Sequence, residues 1–116
     1  MVGTTHDEFA YNQENDVLVE YYADWCPHCK DLAPIYDQLA TDVSNIPTLK
    51  IAKMLSTDNE TAYYHPAGYP NIMFYPAGAA FGTKPVYCAS RDAEGIRSFL
   101  KANSSVYKNA TSQTDL

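Results

Sequence analysis

Cys26 and Cys29 stand two residues apart, with Pro27 and His28 between them. Two thiols at that spacing can close into a disulfide and open again, which is the chemistry of thiol–disulfide exchange. The pair follows the apolar run Val17-Leu18-Val19-Glu20-Tyr21-Tyr22. It opens a segment in which Cys29, Leu32, Ile35, Tyr36, Leu39, Ala40 and Val43 recur at three- and four-residue spacings. The region therefore reads strand, tight turn, helix, with Cys26 at the turn and Cys29 in the first helical turn. Pro27 suits the first helical position, where its missing N–H is no loss. A thiol there meets unsatisfied backbone N–H groups and the positive end of the helix dipole. Both favour the thiolate, which is the attacking species.

The same spacing can serve half of a zinc site or an inert structural disulfide. A structural zinc site takes four ligands, commonly from two such pairs. The remaining candidates, Cys88, His6, His28 and His65, stand at no ligand spacing from one another. No metal is expected, and a redox dithiol is the reading the pattern favours.

The chain has 116 residues, 46% hydrophobic and 19% charged, which suits one domain with a real core. Its three cysteines are too few for a disulfide scaffold, so packing must hold the fold. The net charge is −6, with no basic cluster, and nucleic-acid binding is not expected. No apolar run approaches the ~18 residues of a membrane span, and no signal peptide stands at Met1. Glycosylation sequons at Asn59-Glu60-Thr61, Asn103-Ser104-Ser105 and Asn109-Ala110-Thr111 exceed what chance would place and point toward the secretory pathway.

Along the chain, residues 1–3 read as the stub of a strand, and Thr5 caps a short helix to Asn12 with Glu8 completing a capping box. Strand 17–22 is apolar on both faces, as in a central strand covered on both sides. Glu20 breaks that pattern. It shares a face with Leu18 and Tyr22, where burial raises a carboxyl pKa; the alternative is a surface glutamate on a half-exposed strand. Helix 27–43 contains Pro34, which should kink it. Strand 48–54 puts Lys53 on the face of Leu49 and Ile51, either paired with Glu20 from a neighbouring strand or snorkelling at the strand end. Residues 55–68 are polar and turn-rich, and His65 reads as a surface or loop residue. Tyr69-Pro70 is a candidate cis peptide. Strands 72–75 and 84–89 should form an antiparallel hairpin. Asp92 caps a last helix with a buried stripe of Ile96, Phe99 and Leu100, ending near Asn103. The expected domain is 1–103, with 104–116 a flexible tail. This order implies an α/β sandwich with a mixed sheet.

With these residues placed, the run Asp16 to Pro34 resembles a thioredoxin-fold catalytic domain, and more narrowly the protein disulfide isomerase family. Ile51-Ala52-Lys53-Met54, Gly68-Tyr69-Pro70, Phe74-Tyr75-Pro76-Ala77-Gly78 and Ser90-Arg91-Asp92 match in order and spacing. The similarity spans about residues 2–103 and is greatest to the C-terminal catalytic domain of fungal-type isomerases. It implies a central mixed β-sheet flanked by α-helices on both faces, with the first strand truncated here.

By that resemblance, Cys26 is the exposed nucleophile and Cys29 the buried resolving thiol. Glu20 relays protons to Cys29 with Lys53 as its charge partner, and Arg91 moves in and out to tune Cys29. Pro70 is the cis-proline beside the dithiol, and with Trp25 and Tyr69 it forms the substrate-binding surface, where the Tyr69 backbone can pair with an extended client strand. No cofactor is needed. The implied partners are unfolded or partly folded proteins bearing cysteines, with glutathione or an oxidase as redox partner. The implied setting is the endoplasmic reticulum lumen, and the chain would be one domain of a larger multi-domain protein.

Several residues depart from the family pattern. Isomerase domains usually carry Gly-His between the cysteines, whereas Pro27-His28 is the pair of bacterial periplasmic thiol oxidases. Pro27 removes one N–H that could bond the Cys26 thiolate, while His28 can still donate to it. Asp24 replaces the usual proline before Trp25 and places a negative charge nearby. Leu55 and Asn71 replace a common aspartate and threonine. Cys88 lies outside the motif, either as a passive thiol or as one end of a regulatory or intermolecular disulfide. Two other functions fit less of this pattern: a redox-silent peptide-binding chaperone module, and a thioredoxin-like disulfide reductase.

Overall fold

The computed structural model describes residues 10–11, 14–23, 26–55, 70–78 and 85–108. Among these, one mixed sheet runs in the order β2-β1-β3-β4, built from β1 (Asp16–Tyr22), β2 (Leu49–Leu55), β3 (Asn71–Tyr75) and β4 (Val86–Cys88). β1 and β2 are parallel; β1 with β3, and β3 with β4, are antiparallel. The parallel pair needs a crossover, and α1 (Pro27–Asp42) supplies it. α2 (Ala93–Asn103) follows β4. The expected strand–helix–strand–hairpin–helix order holds for these elements. The stub at 1–3, the start of the 5–12 helix and the 56–69 segment lie outside the described residues.

Alternation along β1 decides which side chain faces which layer. Leu18 joins Leu32, Tyr36 and Leu39 of α1 and Ile96 and Leu100 of α2 in one core. Val17, Val19 and Tyr21 face the other side with Met54, Met73 and Tyr75, and there Ala10 and Tyr11 pack against the sheet. The Tyr11 and Tyr75 rings meet edge to face at 5.0 Å, and the Tyr21 and Tyr75 hydroxyls are hydrogen-bonded to each other. All of β1 but Tyr22 is buried, as its unbroken apolar character requires.

α1 continues through Pro34 and is closed by Val43, whose N–H reaches the Leu39 carbonyl. Its Tyr36 is buried with the hydroxyl 2.7 Å from the Ala52 carbonyl and 3.0 Å from that of Leu18. One side chain thus fastens the helix to β1 and β2 together. α2 starts as expected at Asp92, whose Oδ1 accepts from Gly95 N–H at 2.6 Å. A Cβ on residue 95 would stand 2.5 Å from the Ser90 Cβ, so the capping turn closes only over glycine.

Packing against the core continues past residue 103. Ser104 is buried, and residues 105–108 form a further helical turn that places Tyr107 and Val106 against the main core. Two apolar residues in a single turn give no periodic signal, and the anchor that holds them lies at the other end of the chain. Ser104 Oγ donates to Asp16 Oδ2. Residues 109–116 lie outside the described residues.

Candidate active site

Cys26 occupies the N-cap of α1 with extended backbone, and Pro27 follows at the first helical position. The Cys26 sulfur accepts from the Cys29 N–H at 3.2 Å, so the thiol itself fills the place that serine or aspartate takes in most helices. Cys26 is only 2% exposed and Cys29 5%, and the two pack with Ala23 and the partly buried Tyr22. The expectation of an exposed Cys26 is corrected here: turning the sulfur inward to cap the helix removes it from solvent. Cys26, Cys29 and Cys88 carry free thiols.

Burial, with the interaction from the Cys26 side chain next, pushes the Cys29 thiol up to about 11; the nearby Glu20 charge acts in the same direction, and the Ala23 backbone opposes it. Glu20 is 2% exposed on β1, which confirms the buried reading over the surface one. Desolvation raises its carboxyl from 4.5 to about 7, Lys53 pulls it down and Asp37 pushes it up. β1 and β2 pair with Glu20 opposite Lys53, one of the two arrangements that the strand patterns left open. Both residues line a cleft of about 210 Å³ together with Tyr22, Ala23, Cys29, Lys30 and Ala33. A buried acid near neutrality and a buried thiol that holds its proton therefore share one cleft.

Lys53 snorkels as well. Its side chain is 44% exposed and its Nζ lies 3.1 Å from Asp37 Oδ1. Asp37 carried no sequence signal of its own. The signal available was spacing: Cys29, Ala33 and Asp37 are four residues apart and share one stripe of α1. Ala33 also explains the cleft, since a larger side chain one turn beyond Cys29 would fill it.

The other expected site residues are placed as follows. His28 is exposed on the first turn of α1, and Arg91 is exposed just before α2; neither is among the described residues lining the cleft. Pro70 is buried at the head of β3. Trp25, Tyr69 and Asp24 lie outside the described residues, and with Tyr69 goes the peptide bond to Pro70. Cys88 is buried in the main core, its sulfur 3.8 Å from the Ser90 carbonyl, and burial raises its pKa. That environment suits a passive thiol. Among the described residues, no group of three or more His, Cys, Asp and Glu side chains is placed to hold a metal, and no helix is long and apolar enough to cross a membrane.

Comparison with known proteins agrees with this geometry. The thioredoxin family model matches residues 1–102. Protein disulfide-isomerase of Saccharomyces cerevisiae is 41% identical over 104 residues, covering 89% of this chain and 20% of that protein. Protein disulfide-isomerase of Gallus gallus is 38% identical over 102 residues, covering 88% and 20%. Protein disulfide isomerase-like 1-4 of Oryza sativa is 36% identical over 106 residues, covering 91% and 19%. The chain spans about a fifth of the length of these relatives. With a dithiol at the head of α1, a mixed sheet behind it and a family model that covers nearly all of the sequence, the chain belongs to the thioredoxin family, and within it is similar to the protein disulfide-isomerases.

Proposed function

We propose that the chain is a thiol–disulfide oxidoreductase and isomerase domain that makes and reshuffles disulfides in folding secretory proteins. The observation that carries this reading is the pairing of a Cys26 sulfur at the α1 N-cap with a protonated Cys29 in the cleft of Glu20. Cys26 thiolate attacks a client disulfide, forms a mixed disulfide and expels one client thiolate. Attack requires the sulfur to turn outward from the Cys29 N–H. Cys29 then gives its proton to the Glu20 carboxylate, directly or through water in the cleft, and attacks Cys26. A Cys26–Cys29 disulfide forms and the client leaves reduced. Run in reverse, the same steps oxidise a client dithiol, and a client thiol that attacks its own mixed disulfide reshuffles it.

The clients are unfolded or partly folded proteins with cysteines, and glutathione or an oxidase resets the pair. Work in the endoplasmic reticulum lumen, as one domain of a longer protein, is supported by the sequons and by the similarity to segments of longer isomerases. The pair Glu20–Lys53 takes the relay role and the trio Trp25, Tyr69 and Pro70 the client-binding role, with His28 and Arg91 acting on the two thiols.

Two measurements test this. Cys26→Ser should abolish disulfide transfer to a reduced, unfolded client, and retained transfer would overturn the assignment of the nucleophile. The reduction potential of Cys26–Cys29, read by alkylation and mass across glutathione buffers, should lie near about −180 mV or higher. A value near about −270 mV would make the domain a reductase instead.

A further inference from the structure

Lys53, which lines the cleft, is bonded to a charged group that the exchange chemistry above does not use. Cys29, Ala33 and Asp37 follow one stripe of α1; the first two line the cleft, and Asp37 accepts from Lys53 Nζ at 3.1 Å. Lys53 is also the β2 residue in register with Glu20. One ammonium therefore acts on two carboxyl groups, one buried and one 63% exposed.

We propose that Asp37 is a positioning residue that holds the Lys53 ammonium toward solvent and so limits how strongly that charge bears on the Glu20 carboxyl. Coulomb attraction weakens with distance, and more steeply where water enters. An ammonium held at the rim stabilises the Glu20 carboxylate less than one folded into the cleft. The negative charge of Asp37 acts on Glu20 in the same sense. Around Glu20, α1 presents Cys29, Lys30, Tyr36 and Asp37, and β2 presents Lys53; the β3 residue opposite is Ile72, which is uncharged. Of the two lysines in this cleft, Lys53 is the one whose charge bears on Glu20, and Asp37 is its ion-pair partner. With the Glu20 carboxyl at about 7, its protonated fraction near neutral pH responds to small changes in that balance. That fraction sets how readily Glu20 takes the Cys29 proton, a consequence that rests on the proposed function; the effect on Glu20 itself does not.

The experiment is a carboxyl-carbon NMR titration of Glu20 in the reduced full chain, with no substrate present. Asp37→Asn should lower the Glu20 midpoint by roughly 0.2 to 0.7 unit, a ~1.5- to 5-fold loss of proton affinity, as expected for release of an exposed ion pair. Asp37→Glu should return the midpoint toward that of the parent. In a Lys53→Met background, where the midpoint itself should rise, Asp37→Asn should shift it by less than half as much. A midpoint that stays or rises in Asp37→Asn, or an equal fall with and without Lys53, overturns the proposal. Disulfide transfer by the parent chain is read separately, so its failure would sink the exchange function and leave the Asp37 assignment standing.

Discussion

Ser104 Oγ donates to Asp16 Oδ2 at 2.7 Å, joining the residue that ends α2 to the residue that begins β1 across 88 positions of sequence. The second Asp16 oxygen accepts from the Ala77 N–H at 2.8 Å, just beyond β3. Ser104 Oγ in turn accepts from the Tyr107 N–H at 3.3 Å. One buried carboxyl group thus gathers the start of β1, the turn after β3 and the end of α2. Its two oxygens hold the end of the sheet away from the dithiol, where β1 begins rather than where it delivers the chain to Cys26.

Ser104→Ala should lower stability by ~1–3 kcal/mol, because a buried acceptor loses its donor and the Tyr107 N–H its acceptor. Asp16→Ala should cost more, ~2–4 kcal/mol, since two donors are stranded at once. Urea unfolding with unchanged m-values reads both. Losses below about 0.5 kcal/mol for the pair would mean that residues 104–108 are not fastened to the core in solution.

Cys26 caps α1 and is also the proposed nucleophile, and the two roles separate by substitution. Serine at position 26 keeps an acceptor for the Cys29 N–H, so Cys26→Ser should unfold within ~0.5 kcal/mol of the parent. Cys26→Ala leaves that N–H unsatisfied and should lose ~1 kcal/mol. Both should be inactive in disulfide transfer. Equal stability of the two variants would show that the thiol does not cap α1.

How much of this was legible beforehand depends on how local each signal is. Glu20 stood out because a period of two puts every other residue of β1 on one face, and a carboxylate between Leu18 and Tyr22 is held on an apolar face away from water. The same count on β2 put Lys53 on an apolar face but left pairing with Glu20 and snorkelling at the strand end equally open, and the Cys26-Pro27 cap came from helix-end chemistry. The inward turn of Cys26 was not visible, because a cap and an exposed nucleophile share one residue type and spacing. Asp37 reads as an ordinary solvent-facing helix residue until β2 brings Lys53 beside it. Ser104 was hidden for the same reason on a larger scale: its partner is Asp16, and no window of sequence contains both.

The raised carboxyl of Glu20 makes stability depend on pH. The folded state binds its proton more tightly than the unfolded chain, where the value is 4.5 rather than about 7. Stability from this group is therefore full below pH 4.5 and falls as pH rises toward 7. Glu20→Gln removes that dependence. Its stability relative to the parent should be flat below pH 4.5, climb between 4.5 and about 7, and level off ~1–3 kcal/mol higher. Urea midpoints at pH 4, 6 and 8, with the thiols kept reduced, give the difference curve. A difference that does not change with pH would place the Glu20 carboxylate in water rather than in the cleft.

The same substitution should slow the resolving step. With its thiol pushed up to about 11, Cys29 is thiolate in only about one molecule in 10⁴ at neutral pH. Unaided attack on a Cys26 mixed disulfide is limited by that fraction. A Glu20 carboxylate in the same cleft can take the proton as the Cys29 sulfur bonds to Cys26 and the client sulfur departs with the electron pair. That route opens only once Glu20 is itself ionised, so the parent rate should rise through about pH 7 and then level. In Glu20→Gln the step near 7 should vanish and the neutral-pH rate fall on the order of 10²-fold, as for loss of a general base. Stopped-flow release of glutathione from the Cys26 adduct measures this directly. As pH approaches 11 the two proteins should converge, because Cys29 then ionises without help. Were the variant to release glutathione at the parent's rate at pH 7, the proton would be leaving by bulk water, and Glu20 would be a buried acid with no part in the exchange.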